Sequence, residues 1–125
     1  MGVTIKQSLT TIFRGKNMKI ALASDHAGYV MKQHLVDYLS NAGHEILDLG
    51  VDSDQQRSDY TDAAQKVGAV VVNGKAERGI LICGSGVGAS IAANKMRGIY
   101  CAITHDAYSA AQGVQHDNMN VMAIG

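Results

Sequence analysis

The sequence contains no proline, no internal repeat and no low-complexity tract, so glycine, asparagine and polar clusters must mark the breaks between its elements. Net charge is also missing, because eleven lysines and arginines balance eleven aspartates and glutamates. A neutral chain has no overall field to draw it to nucleic acid or an anionic membrane, so any phosphate must be met by local groups. Its apolar runs fall far short of the ~18 residues a membrane span needs, and no signal-peptide core with a cleavage site is visible. Cysteine is scarce. Cys83 and Cys101 lie in separate apolar runs without CxxC or CxxH spacing, which argues against a disulfide framework or zinc site and fits a reducing cytoplasm. Acids are absent before Asp25, where the chain instead carries Lys6, Arg14 and Lys16 among the hydroxyls of Ser8, Thr10 and Thr11. Residues 1–17 therefore read as a disordered extension ahead of one domain over 18–125, a length that suits a single core.

What the sequence does have is regular alternation of short β-rich runs with helical patterns, the mark of βα units on a parallel sheet. Lys19 to Ser24 suits a strand buried on both faces. Met31, Leu35, Tyr38, Leu39 and Ala42 then recur at helical spacing up to a stop at Gly43. A strand is expected over Glu45 to Leu49 and a polar loop over Gly50 to Ser58. The next helix should carry Tyr60, Ala63, Ala64, Val67, Val70 and Val71 along one face and end at Asn73-Gly74. Strands over Gly79 to Cys83, Ile99 to Thr104 and Val121 to Ile124 alternate with helices over Val87 to Lys95 and Asp106 to Gln115. The expected fold is a three-layer α/β/α sandwich with five parallel strands. The chain stops at Gly125, so the helix that would follow the fifth strand is expected to be missing.

Ligands of open parallel sheets sit outside the carboxyl ends of the strands. Three turns there carry chemistry: Asp25 to Gly28, Cys83 to Gly88, and His105-Asp106. In the second, Gly84, Gly86 and Gly88 let the backbone pass close to a ligand and turn amides inward at a helix start, which makes an anion-binding nest. A thiol in such a place can have its pKa lowered from ~8.5 toward ~3.5–7.5, giving a base for a proton next to a carbonyl. The same amides could hold the resulting oxyanion. Two other readings stay open. Cys83 could be a small buried hydrophobe at a strand end, or Gly84, Gly86 and Ala89 could form a dinucleotide fingerprint with Asp106, about 20 residues on, as the ribose acid. Asp25 could bind sugar hydroxyls or simply cap the first helix. His26 could donate to a phosphate, and His116 occupies a polar turn before the fifth strand. His34, His44, His105, Cys101, Met96, Met119 and Met122 read as structural or solvated.

Several segments together resemble the ribose-5-phosphate isomerase B family, which includes the galactose-6-phosphate isomerase subunits. They are Ser24 to Gly28, Arg57-Ser58-Asp59-Tyr60, Gly79 to Gly88 continued through Ser90 to Lys95, Asp106 to Ala110, and His116 through Val121. The resemblance covers nearly everything from Met18 and implies a Rossmann-like domain that isomerises sugar phosphates through a cis-enediol, without metal or organic cofactor. It implies Cys83 as the base, with Ser85 and the backbone of Gly84, Gly86, Val87 and Gly88 holding the enediolate. His116 would open the furanose ring, Asp25 would bind hydroxyls and His26 would face the phosphate. Homodimers, often paired into tetramers, would build composite sites from two subunits, with no nucleic acid or membrane partner. The sequence departs from the family at Asp117, where relatives carry a substrate-binding asparagine, and at Gln112, Gly113 and Val114, where many carry arginines. The family's phosphate-gripping arginines fall beyond Gly125. A relative that binds a sugar phosphate without turning it over is therefore the alternative expectation.

Overall fold

Nine elements alternate through residues 17–125, the part of the chain that the computed structural model describes. They are β1 (Lys19–Ser24), α1 (Tyr29–Asn41), β2 (Glu45–Asp48), α2 (Tyr60–Val72), β3 (Arg78–Ile82), α3 (Val87–Asn94), β4 (Cys101–Ile103), α4 (Ala107–Asp117) and β5 (Val121–Ile124). The expected extension over 1–17 lies outside the described residues, Asn17 excepted. Every strand pairing is parallel and the order is β2-β1-β3-β5-β4.

Alternate side chains of the inner strands point to opposite faces, and each face buries its own core. Ile20, Leu22, Ile80, Ile82, Met122 and Ile124 pack under Leu35 and Leu39 of α1 and Ala110 of α4. On the reverse face Ala21, Ala23, Leu81, Cys83 and Ala123 meet Ala63, Ala64 and Val67 of α2 and Ala89 and Ala93 of α3. The expected three-layer α/β/α sandwich is thus present. The second face is built of small residues, so its helices come down close to the sheet. A side chain at Gly79 would strike Val67, and one at Gly68 would strike Met96. The chain leaves β1 toward β2 and then returns past it to β3. That reversal opens a crevice above the carboxyl ends of β1 and β3, the place where open α/β sheets take their ligands.

Two boundaries differ from expectation. Strand β4 has only three residues, although Ile99 and Thr104 flanking it are still buried. Helix α4 continues through His116 and Asp117 and stops at Asn118, whose φ of 57° is a left-handed cap that asparagine tolerates. His116 therefore stands on a helix end rather than in a turn.

The main surprise is Lys32, a charged residue in a core position. Met31 faces outward, while Lys32 is 0% exposed and shares the inner face of α1 with Leu35 and Leu39. Its Nζ donates to Asp48 Oδ1 at 2.7 Å and lies 5.6 Å from the centre of the Tyr29 ring. The same carboxylate oxygen accepts the Gly50 amide at 3.0 Å, and the Gly50 carbonyl accepts the Ser24 amide at 2.9 Å. One buried cation thus ties α1, the end of β2 and the end of β1 together. Removing one partner of a buried ion pair typically costs ~3–5 kcal/mol, whereas an apolar replacement of similar volume is often tolerated. Lys32→Ala is accordingly expected to lose about 3–5 kcal/mol in urea unfolding and Lys32→Met clearly less. Equal losses in the two variants would show that the charge pair does not set the cost.

Candidate active site

Cys83 follows β3 directly and its amide donates to the Ile124 carbonyl at 3.1 Å, so β5 fixes its backbone. The residue is 6% exposed and its side chain joins the core on the α2/α3 face. Above it the cover is thin. Gly84 and Ser85 are exposed, and a side chain added at Gly84 would meet nothing within 4 Å. Gly86 adopts φ 84° at the start of α3, which points its amide back at Cys83 Sγ, 3.0 Å away. The Val87 amide donates to Ser85 Oγ at 3.2 Å. The expected clustering of Cys83, Ser85, Gly84, Gly86, Val87 and Gly88 in one strand-to-helix turn therefore holds as geometry.

Asp25 lies across the crevice at the end of β1 and is 7% exposed. Its amide donates to the Ile82 carbonyl at 3.2 Å and its Oδ1 accepts the Gly28 amide at 3.0 Å, so it shapes its own turn as well as facing the crevice. Gly28 is required for close approach, since a Cβ there would stand 2.5 Å from the Ile82 carbonyl oxygen. The His26 ring is held by one residue. Ser58 N donates to its Nδ1 at 3.2 Å, and the Ser58 carbonyl lies 3.1 Å from the same atom. A neutral ring accepts from the amide and a protonated ring donates to the carbonyl, so the Ser58 main chain suits both states. In either state Nε2 is the nitrogen turned away from Ser58.

Sequence reasoning gave no site role to Arg57, Ser58 or Tyr60, although it singled out the segment that holds them. A cavity of about 630 Å³ is lined by Asp25 and His26 together with Arg57, Ser58, Asp59 and Tyr60. Helical spacing puts Tyr60 on the same face of α2 as Ala63, Ala64 and Val67, but its ring is exposed and lies on Gly88, where a Cβ would stand 2.7 Å from it. It therefore bridges the His26 cavity and the Cys83 turn. Asp59 caps α2 by accepting the Thr61 amide at 3.1 Å, and that hydrogen bond holds its carboxyl below the usual range.

His116 and Asp117 do not join this cluster within one chain. They sit exposed on the last turn of α4, before β5, at the amino-terminal edge of the sheet. Val121 is paired with Gly79, four residues ahead of Cys83, and at ~3.3 Å per residue that alone separates the two ends by ~13 Å. The dinucleotide reading fails on similar grounds. Asp106 follows β4, which is not a neighbour of β3, and its Oδ1 accepts the Ser109 amide at 2.6 Å as the cap of α4. That bond holds its carboxyl below the usual range, and the group serves the helix rather than a ribose. Among the described residues no three His, Cys, Asp or Glu side chains gather as metal ligands, and no helix is long and apolar enough to cross a membrane.

These features define a Rossmann-like α/β protein with a polar cavity beside the switch point between β1 and β3 and a cysteine that receives a backbone amide in the turn after β3. A family model described as Ribose/Galactose Isomerase matches residues 20–125. The chain belongs to that family and is a sugar phosphate isomerase. It is 44% identical over 107 residues to ribose-5-phosphate isomerase B of Escherichia coli, covering 86% of this chain and 71% of the relative. It is 37% identical over 108 residues to the D-erythrulose-4-phosphate isomerase of Pectobacterium atrosepticum, covering 86% and 71%. Among solved structures, ribose-5-phosphate isomerase B of Clostridium thermocellum superposes with a TM-score of 0.84 at 42% identity, covering 86% of this chain and 72% of that one.

The two thiols share one buried core cluster but differ in what meets the sulfur. Burial pushes Cys101 up to about 12, against a weaker opposing hydrogen bond from Ser90, so it stays a neutral thiol across the physiological range. Cys83 instead receives an amide under an open glycine. Iodoacetamide at pH 8 on the folded protein is expected to label Cys83 well before Cys101, as read by peptide mass spectrometry. Preferential labelling of Cys101 would contradict this account of the site.

Proposed function

We propose that the chain interconverts ribose 5-phosphate and ribulose 5-phosphate through a cis-enediolate, with Cys83 as the base. The observation that carries this reading is the 3.0 Å approach of the Gly86 amide to Cys83 Sγ in a turn that is open at Gly84. The thiolate removes the proton from C2 of the open-chain aldose and returns it to C1, while a hydroxyl proton passes from O2 to O1. No electrons are gained or lost overall. Amides of Gly84 to Gly88 and the Ser85 hydroxyl hold the oxygen that becomes anionic. Asp25 binds sugar hydroxyls and His26 presents Nε2 to the phosphate. The name of the E. coli relative supports this pentose phosphate, and that of the Pectobacterium relative brings a four-carbon substrate into the same class. Two free thiols suit a reducing, cytoplasmic setting.

His116 enters through a second copy of the chain. Its place at the far edge of the sheet keeps it from the Cys83 of its own chain, so a homodimer with composite sites is the arrangement that makes the two a proton-handling pair. There His116 protonates the ring oxygen O4 as the C1–O4 bond breaks and the O1 hydroxyl releases its proton to solvent to leave the C1 carbonyl, and Asp117 lies beside it at the substrate. The exposed apolar side chains of Val87 and Ile91 on α3, next to the Cys83 turn, suit such an interface.

Cys83→Ala is expected to lose ~10²–10⁴-fold in kcat while Cys101→Ala keeps parental turnover, both followed as aldose-to-ketose conversion. A Cys83→Ala protein as fast as the parent removes the proposed base. Sugar phosphate binding in calorimetry without any turnover by the parent would leave a binding protein instead. Coexpressed Cys83→Ala and His116→Ala chains should regain about a quarter of parental activity, because random pairing puts one intact site in half of the dimers. No recovery at all would exclude composite sites.

The chemistry of the ring gives a sharper test of His116. A tetrose 4-phosphate has its O4 esterified and cannot close a furanose, so it needs no ring opening. His116→Ala should therefore depress turnover of ribose 5-phosphate by ~10²-fold or more and leave any turnover of erythrose 4-phosphate nearly unchanged. Equal losses on both substrates would assign His116 to another step.

A further inference from the structure

Behind the His26 turn lies a chamber of about 80 Å³ that the mechanism does not use. Two of the residues lining it, Ser24 and Ser58, have buried hydroxyl oxygens with no protein hydrogen-bond partner. Ser24 is 1% exposed, so its hydroxyl cannot reach bulk water. A buried hydroxyl left without a partner is costly, and polar cavities that can supply two to four hydrogen bonds are the ones that hold ordered water. The volume is ample for an ordered water, which needs ~10–15 Å³ of accessible space. Water suits such a pair of hydroxyls, because it can donate to one and accept from the other.

The position of the chamber gives it a functional consequence. Ser24 directly precedes Asp25, and its amide is held by the Gly50 carbonyl at 2.9 Å. The Ser58 main chain in turn holds His26 Nδ1. The geometry points to a buried water site that bridges Ser24 Oγ and Ser58 Oγ and thereby fixes the Arg57 to Tyr60 segment, and with it the His26 ring, against the end of β1. Ser24 and Ser58 act through this water as positioning residues for the ligand-binding end of the site and leave the Cys83 base alone. The role assigned to His26 rests on the isomerase reading, but the water site does not.

The test has two parts. A crystal structure of the parent protein at about 1.5 Å or better should show at least one ordered water within hydrogen-bond distance of both hydroxyls. An empty chamber, or density that refines as a metal ion, overturns the proposal. Ser24→Ala and Ser58→Ala should each raise KM for ribose 5-phosphate about three- to tenfold with kcat within about twofold, because a lost bridging water weakens ground-state positioning rather than the chemical step. Two hydroxyls that share one water are coupled, so the double variant should raise KM little more than either single change. KM effects that simply multiply, or losses confined to kcat or thermal stability, contradict the bridge. Ser24→Thr, which keeps the hydroxyl, should restore KM toward the parental value. A parent with no turnover on any aldose phosphate defeats the isomerase reading and leaves the density in the chamber to decide the water site on its own.

Discussion

The turn after β3 can be made only by a residue without a side chain at its apex. Gly86 holds φ at 84°, and a Cβ there would press within 3.1 to 3.3 Å of the Ile124 backbone. With that conformation in place, its amide points at Cys83 Sγ, α3 begins at Val87, and the Ile124 carbonyl anchors the Cys83 amide from below. Sulfur, helix start and β5 become one rigid unit. Gly28 does the matching job under α1, where the Ile82 carbonyl leaves no room for a methyl group, and its amide fixes the Asp25 carboxylate. The two sides of the crevice are thus referred to the same stretch of β3 and β5. This gives positional accuracy without a large buried polar network.

The same architecture that gathers residues at the ends of β1 and β3 keeps His116 away from them. A helix connecting two parallel strands must run back against them, so the carboxyl end of α4 is delivered to the edge of the sheet where β5 begins. Flexing the His116 turn cannot overcome a full strand length. Asn118 fixes the turn with a left-handed cap, and Arg78 Nη1 donates to the Met119 carbonyl at 2.5 Å just beyond it. An exposed histidine held this firmly is better suited to a neighbouring surface than to its own chain's crevice.

Much of this was legible in the residues because it depends on local rules. Apolar runs of four to six residues at βα spacing gave the strands, and glycines gave the turns, with boundaries within a few residues of those observed. The clustering of Cys83 to Gly88 could be read because it is contiguous. Three features were not legible, each for a tertiary reason. Lys32 looks like a surface lysine beside an apolar Met31, and only the arrival of Asp48 from β2 makes burial of the cation tolerable. Tyr60 fits the helical period of α2, but it stands at the first residue of the helix, beyond the edge of the sheet, where the partner is Gly88 rather than the core. Arg57 and Ser58 belong to a polar loop whose path over β1 no periodicity encodes. The hold of Ser58 on His26 spans 32 residues and uses main-chain atoms that any residue but proline would supply.

Assembly and substrate range are linked by the chemistry of the sugar. In the proposed mechanism, proton transfer between C1 and C2 needs only the groups gathered at the ends of β1 and β3, all of which one chain supplies. Opening a furanose needs a further proton donor, and the fold places the candidate histidine out of reach of its own site. A chain acting alone would therefore be equipped for sugars that are already open, and association with a second copy would extend it to those that cyclise. On this argument the short turn around Gly86 sets the reaction, while the surface that receives another chain's α4 sets which sugars can enter it.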